Sequence, residues 1–171
     1  MIHIRGARRD DAEALTEIGL RAWKVALAPI ARTDVLLDSA RSAFGNFTAS
    51  SWVSITLVEW NGAIAGWAAR EALDEELTDF WIDPACQRRG AGAALLAEVE
   101  RSVAAQGFDE LRLKTHARNA PATAFFRAQG YSVRWLTVSY APILDRDVEA
   151  IGMAKQLVEK PSEDYSSFIG P

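Results

Sequence analysis

Phe80-Trp81-Ile82-Asp83-Pro84-Ala85-Cys86-Gln87-Arg88-Arg89-Gly90-Ala91-Gly92 joins an apolar, extended run to a helical one through a turn rich in arginine and glycine. Pro84 stops the strand, because proline has no N–H to give to a ladder. From Gly90 to Gln106 the apolar residues Leu95, Leu96, Val99 and Val103 recur at helical spacing, and Gly107 is placed to end the helix. A strand that enters a helix through glycines is anion-binding architecture. The first N–H groups of the helix have no partner within it, and the helix dipole behind them favours negative charge. Gly90 and Gly92 remove side chains where backbone must approach a ligand, and Arg88 and Arg89 can add charge-assisted bonds to phosphate oxygens. Pyrophosphate suits such a cradle. Two other phosphate loops fail on inspection: there is no G-x-x-x-x-G-K-[ST], and Leu95 stands where a dinucleotide fingerprint needs its third glycine.

Outward from this loop the pattern alternates strands and helices. Ile2 to Arg5 reads as a strand, and Asp10 or Asp11 can cap a helix with Ala14, Leu15, Ile18 and Ala22 on its apolar face. A weaker helical pattern runs from Thr33 to Phe47, followed by a strand from Val53 to Trp60. The Asn61-Gly62 pair turns it back into Ala63 to Ala69. The central strand is Leu77 to Ile82. After the helix at Gly90 come a strand at Leu111 to Thr115 and a helix at Ala120 to Gln129 ended by Gly130, with closing strands at Tyr131 to Tyr140 and Ala150 to Leu157. The predicted order is β-α-α-β-β-β-α-β-α-β-β, one domain over 1–158, with a polar tail over 159–171.

With 171 residues, 49% of them hydrophobic, the chain can bury one sizeable core. A net charge of −4 offers no field for a phosphate backbone or an anionic bilayer, so neither nucleic acid nor membrane is an expected partner. One cysteine, Cys86, permits no intrachain disulfide and no cysteine-built metal site; no metal is expected, and a reducing, cytoplasmic setting fits. No apolar run is long enough to span a bilayer, and the N-terminus carries no signal segment.

The segment Gln87-Arg88-Arg89-Gly90-Ala91-Gly92 resembles the Q/R-x-x-G-x-G/A signature of the GNAT acetyltransferases. A second stretch, Asn119-Ala120-Pro121-Ala122-Thr123-Ala124-Phe125-Phe126-Arg127-Ala128-Gln129-Gly130-Tyr131, is similar to the family's other CoA-side segment, and the likeness extends over residues 2–158. It implies an α/β (α+β) fold: a central mixed sheet of about six to seven strands, flanked by about four helices and split in a V between the fourth and fifth strands. It also implies an N-acetyltransferase that moves acetyl from acetyl-CoA directly to a primary amine of a small molecule or peptide. In that frame Trp81 and Ile82 supply backbone contacts to the pantetheine arm and acetyl carbonyl. Arg88, Arg89, Gly90, Ala91, Gly92 and Ala93 hold the pyrophosphate, and Asn119 reaches the CoA arm; Asn119 also reads as a plain helix N-cap before Pro121.

Amine acetylation requires that an ammonium with a pKa of about 10 lose its proton, so a carboxylate base is expected. Glu76 is the candidate, resembling the family's acid at the start of the central strand. Strict alternation would put Glu76, Thr78, Phe80 and Ile82 on one face, and Asp79, Trp81 and Asp83 on the other. The family's thiolate acid is a tyrosine in the second segment, but Phe126 stands there and has no proton to give. Tyr131 is the candidate in its place, with Tyr140 or water as alternatives. The ribosomal-protein N-terminal acetyltransferases carry a glutamate where this chain has Lys114, which disfavours that subfamily. His116 reads as structural, and Trp23 or Trp81 as a wall of the acceptor pocket. A catalytically silent acyl-CoA-binding module is the alternative function, and the closing strands are a candidate homodimer surface.

Overall fold

The computed structural model describes residues 1–158, so the expected tail over 159–171 lies outside the described residues. Eight strands and four α-helices follow in the predicted order: β1 (Ile2–Gly6), α1 (Ala12–Leu27), α2 (Leu37–Ser50), β2 (Ile55–Trp60), β3 (Ala63–Ala69), β4 (Glu76–Leu77), β5 (Asp79–Ile82), α3 (Ala91–Ala105), β6 (Glu110–His116), α4 (Ala120–Ala128), β7 (Ser132–Ala141) and β8 (Arg146–Gln156). The single strand expected from Leu77 to Ile82 is thus two short ones, parted at Thr78.

That break organises the molecule. One sheet runs β1-β2-β3-β5 and the other β4-β6-β8-β7. Every pairing is antiparallel except β4 with β6, which spans only Glu76↔Arg112 and Leu77↔Leu113. Beyond Leu77 the chain leaves β6 and pairs with β3 instead. Asp79 stands opposite Ala69, yet the Thr78 N–H also donates to the Ala69 carbonyl at 2.9 Å, so two residues face one in a β-bulge. Thr78 is pinned there, its hydroxyl donating to the Ala69 carbonyl and accepting from the Glu71 N–H, both at 3.0 Å. Between β5 and β6 the ladder stops and a V-shaped split opens.

Two apolar cores lie on the two faces of the sheets. α1 and α2 bury Leu15, Trp23 and Phe44 with Leu57 and Trp67, and the Trp67 Nε1–H donates to the Leu15 carbonyl at 2.9 Å. α3 and α4 bury Leu95, Leu96 and Phe126 with Leu77, Leu113 and Met153, with Phe80 and Ile82 packed against them. Since Leu77, Phe80 and Ile82 share that face, the bulge has shifted the side-chain parity. Glu76 therefore does not share a face with Phe80 and Ile82, as strict alternation would require. No helix among the described residues is long and apolar enough to cross a membrane.

Candidate active site

The loop before α3 is built from Asp83. Its Oδ1 accepts from the Ala85 N–H at 3.1 Å, capping a single turn at Pro84–Cys86, and its Oδ2 accepts from Arg21 Nη2 of α1 at 2.7 Å. The Arg21 guanidinium holds the Asp83 carboxyl below the usual carboxylate range. Gly90 precedes the helix at φ +81°, in the left-handed region that glycine adopts without a steric penalty. The first bond of α3 runs from the Ala94 N–H to the Gly90 carbonyl at 3.1 Å. The N–H groups of Ala91, Gly92 and Ala93 accordingly have no acceptor within the helix, and they open at its positive end.

The two glycines serve different needs. A Cβ on Gly90 would meet only Ile2 Cδ1 at 3.7 Å, so the requirement there is conformational. A Cβ on Gly92 would lie 3.4 Å from the Phe125 ring and 3.5 Å from Ile82 Cγ1, ordinary contact distances, so a methyl would fit there and a large side chain would press on α4 and β5. The arginines also part company. Arg88 is exposed at φ +64°, whereas the Arg89 guanidinium lies 4.3 Å over the Trp60 ring.

A cleft of about 370 Å³ occupies the split. Its walls come from the end of α1 and the Ile30 region, from Thr78 to Trp81, from β6, from α4 and from the β7–β8 hairpin. The edge of β5 along it is unpaired. Asp83 donates its N–H to Ala65 at 2.8 Å and Trp81 lies opposite Trp67, so ladder alternation turns the Trp81 N–H toward β3 and those of Phe80 and Ile82 into the split. The Ile82 amide thus faces the split. That of Trp81, expected to meet the donor, does not: its side chain lines the cleft while its backbone serves the sheet, and Phe80 supplies the other open amide.

Glu76 and Tyr131 are not among the residues that line the cleft. Glu76 is half-buried opposite Arg112, turned by the bulge away from the face of Phe80 and Ile82. Tyr131 is 3% exposed behind Phe126, with its hydroxyl donating to Glu100 of α3 at 3.2 Å. Burial and the Glu100 carboxylate raise its pKa far above that of an ordinary phenol, the wrong direction for an acid.

The acid that does reach the cleft is Asp79. Its Oδ1 accepts from the Trp81 Nε1–H at 3.1 Å, and burial pushes its pKa up from the ordinary aspartate value. A carboxyl in a cleft with its pKa raised by burial is a candidate general base. Sequence reasoning passed it over. Its signal was a lone charge inside an apolar strand, where charged side chains are seldom buried without a purpose.

His116 lines the cleft with both ring nitrogens committed. Nε2 donates to the Ala26 carbonyl at 2.6 Å, and Nδ1 accepts from the Arg118 N–H at 3.2 Å, which assigns the tautomer and leaves no base. Asn119 caps α4, accepting from the Ala122 N–H at 3.3 Å, and its Nδ2 donates to Thr115 Oγ1 at 3.1 Å at the cleft wall. Tyr140 lines the hairpin side with its hydroxyl donating to Asp145. Trp23 is a core residue, 4% exposed.

A strand edge with open amides and a helix N-terminus with three more thus flank the split, and the half-buried carboxylate of Asp79 lines its cleft. Comparison with known proteins places the chain among acetyltransferases. The [Ribosomal protein bS18]-alanine N-acetyltransferase of Escherichia coli (strain K12) is 34% identical over 96 residues, covering 55% of this chain and 65% of that enzyme. The mycothiol acetyltransferase of Clavibacter michiganensis is 37% identical over 82 residues, covering 47% of this chain and 27% of that enzyme. The chain spans less than two thirds of the length of either relative. In fold, it superposes on the PaiA N-acetyltransferase of Thermoplasma acidophilum, solved in complex with coenzyme A, with a TM-score of 0.75 at 22% identity over 91% of this chain and 99% of that one. The model of the acetyltransferase (GNAT) family matches residues 14–131, and the chain belongs to that family.

Proposed function

We propose that this protein is an acetyl-CoA-dependent N-acetyltransferase that passes the acetyl group directly to a primary amine. The observation that carries the proposal is Asp79, a carboxylate whose pKa burial has raised, set beside the unpaired edge of β5 in the split. The amides of Ala91, Gly92 and Ala93 receive the pyrophosphate of the donor, with Arg88 as a counter-charge. Arg89 rests on Trp60 and frames the same end of the molecule. Asn119 stiffens the opposite wall.

In the split, the Ile82 N–H meets the oxygen that gains charge as the amine nitrogen attacks the thioester carbon. Asp79 takes the proton that the attacking amine loses, held in place by Trp81 Nε1. The carbon–sulfur bond then breaks and the thiolate departs. Phe126 and the buried Tyr131 offer it no proton. With a thiol pKa of about 8.5, release as the thiolate followed by protonation from water costs only about 1–2 kcal/mol near neutral pH. Both related enzymes are acetyltransferases, and one is named for an alanine amine of a ribosomal protein. Lys114, in place of a glutamate base on β6, separates this chain from that acceptor. The exposed face of β7, with Leu136, Val138 and Tyr140, is the surface on which a homodimer would form.

Titration with acetyl-CoA by calorimetry, paired with release of free CoA thiol across an amine panel, tests the reading. Binding with turnover is expected. Tight binding with no turnover of any amine would favour a silent acyl-CoA module, and no binding would end both.

A further inference from the structure

The cleft also carries information about the acceptor. Asp79 is the one carboxylate that lines it, and the wall beyond Asp79 is apolar: Leu27 and Ile30 on one side, Leu144 and Val148 on the other. A second cavity continues past Ile30 and Leu144, which line both, and opens on Arg32 and Arg146 with no acid in its lining. Arg146 is anchored there through a bond from Nη2 to the Ile30 carbonyl. Neither arginine is in an ion pair among the described residues. The order along the path is acid, apolar belt, paired cations. Lys114 adds a further positive charge to the first cavity.

Resting on the acetyltransferase reading, we propose that the acceptor is a small primary amine joined through an apolar body to an anionic group at its far end. Its ammonium pairs with Asp79, its body lies between Ile30 and Leu144, and its carboxylate meets Arg32 and Arg146. A second cation at that end would face two guanidinium groups, which turns the site away from polyamines.

A matched series isolates the end group: 6-aminohexanoate, hexylamine and 1,6-diaminohexane share chain length and differ only in the charge at the far end. Norleucine, the isomer with amine and carboxylate adjacent, controls for placement. The expected ranking in kcat/KM is 6-aminohexanoate first and the diamine last. Both arginines are exposed, so the advantage of the carboxylate over hexylamine is roughly three- to tenfold and shrinks with added salt. In Arg32→Gln/Arg146→Gln that advantage falls to about twofold or less. Hexylamine turnover in the same variant falls by less than 6-aminohexanoate turnover does, a difference that a merely structural loss would not produce. Preference for the diamine, or for norleucine over 6-aminohexanoate, overturns the inference while leaving the enzyme reading intact. Failure of every amine overturns both.

Discussion

Replacing Asp79 by Asn separates two roles that one carboxylate plays. Asparagine keeps an oxygen able to accept from Trp81 Nε1 and nearly the same volume, so the packing of β5 against Phe44 and Trp67 is undisturbed. What disappears is the capacity to take a proton. A positioned general base is worth about 10²- to 10⁴-fold in rate, so Asp79→Asn is expected to lower kcat/KM about 10²-fold or more, with acetyl-CoA affinity unchanged. The wild-type pH profile should show an acidic limb above the ordinary aspartate range, because burial raises the pKa of the base, and the variant should lack that limb. Stability moves the other way. A carboxyl whose folded pKa is raised binds more protons folded than unfolded, so it lowers stability as pH climbs from its unfolded value of about 3.9 through its folded value. At neutral pH the variant, carrying no buried charge, should melt higher than wild type, while at pH 3 the two should converge. Thermal melts at both pH values and thiol-release kinetics measure all of this. A variant that keeps activity within about threefold, or a Glu76→Gln protein that loses as much, would refute the assignment.

Gly90→Ala forces a β-carbon into the left-handed region and should cost about 1 kcal/mol of stability while weakening acetyl-CoA binding, both read by calorimetry. Gly92→Trp should lose binding and stability together, because an indole there would press on Phe125 and Ile82; a normal melting temperature would contradict that contact. Asp83→Ala removes the cap and the partner of Arg21 and should raise the KM for acetyl-CoA. Since Arg21 depresses the Asp83 pKa, the stability this pair gives is present above about pH 4 and lost as pH falls, so wild type and variant should converge in acid melts. Tyr131→Phe should leave the pH dependence of kcat untouched; loss of a basic limb in that variant would restore it as the thiolate acid.

Much of this fold is legible in the sequence because its punctuation is local. Asn61-Gly62 turns β2 into β3 with both residues at positive φ, and Gly107 and Gly130 sit past their helices in the same conformation. The phase of α1 is less so. Ala14 reads as a core position but is exposed, while Gly19 and Trp23 are buried, since a glycine facing Phe44 and Trp67 carries no hydrophobic signal of its own. β8 begins at Arg146 rather than Ala150, because a hairpin with β7 extends the ladder through residues that need no burial to pair. The proposed anion-binding end of the site rests on glycine and helix chemistry, and the strand-to-helix turn that builds it is visible in residues 87–93. The catalytic end depends on which way each side chain points, and a one-residue irregularity reverses that.

The bulge at Thr78 is the physical cause of that reversal and of the site itself. An unbroken strand paired on both sides would have spent the amides of Phe80 and Ile82 on β6 and closed the split. The extra residue lets the chain stay with β3 while it parts from β6, which leaves those amides without a ladder partner in a largely apolar cleft. Unmet polar groups of this kind cost roughly 1–3 kcal/mol each, so the open edge is a standing affinity for a ligand that presents a carbonyl to it. Period-two alternation within β5 puts Asp79 on the face of Trp81 and in the cleft, while the slip brings Leu77 onto the opposite face with Phe80 and Ile82 and turns Glu76 away from it. The open edge and the proposed oxyanion donor thus have one structural origin, and the true facing of Glu76 could not have been found by extending a period-two pattern through the bulge.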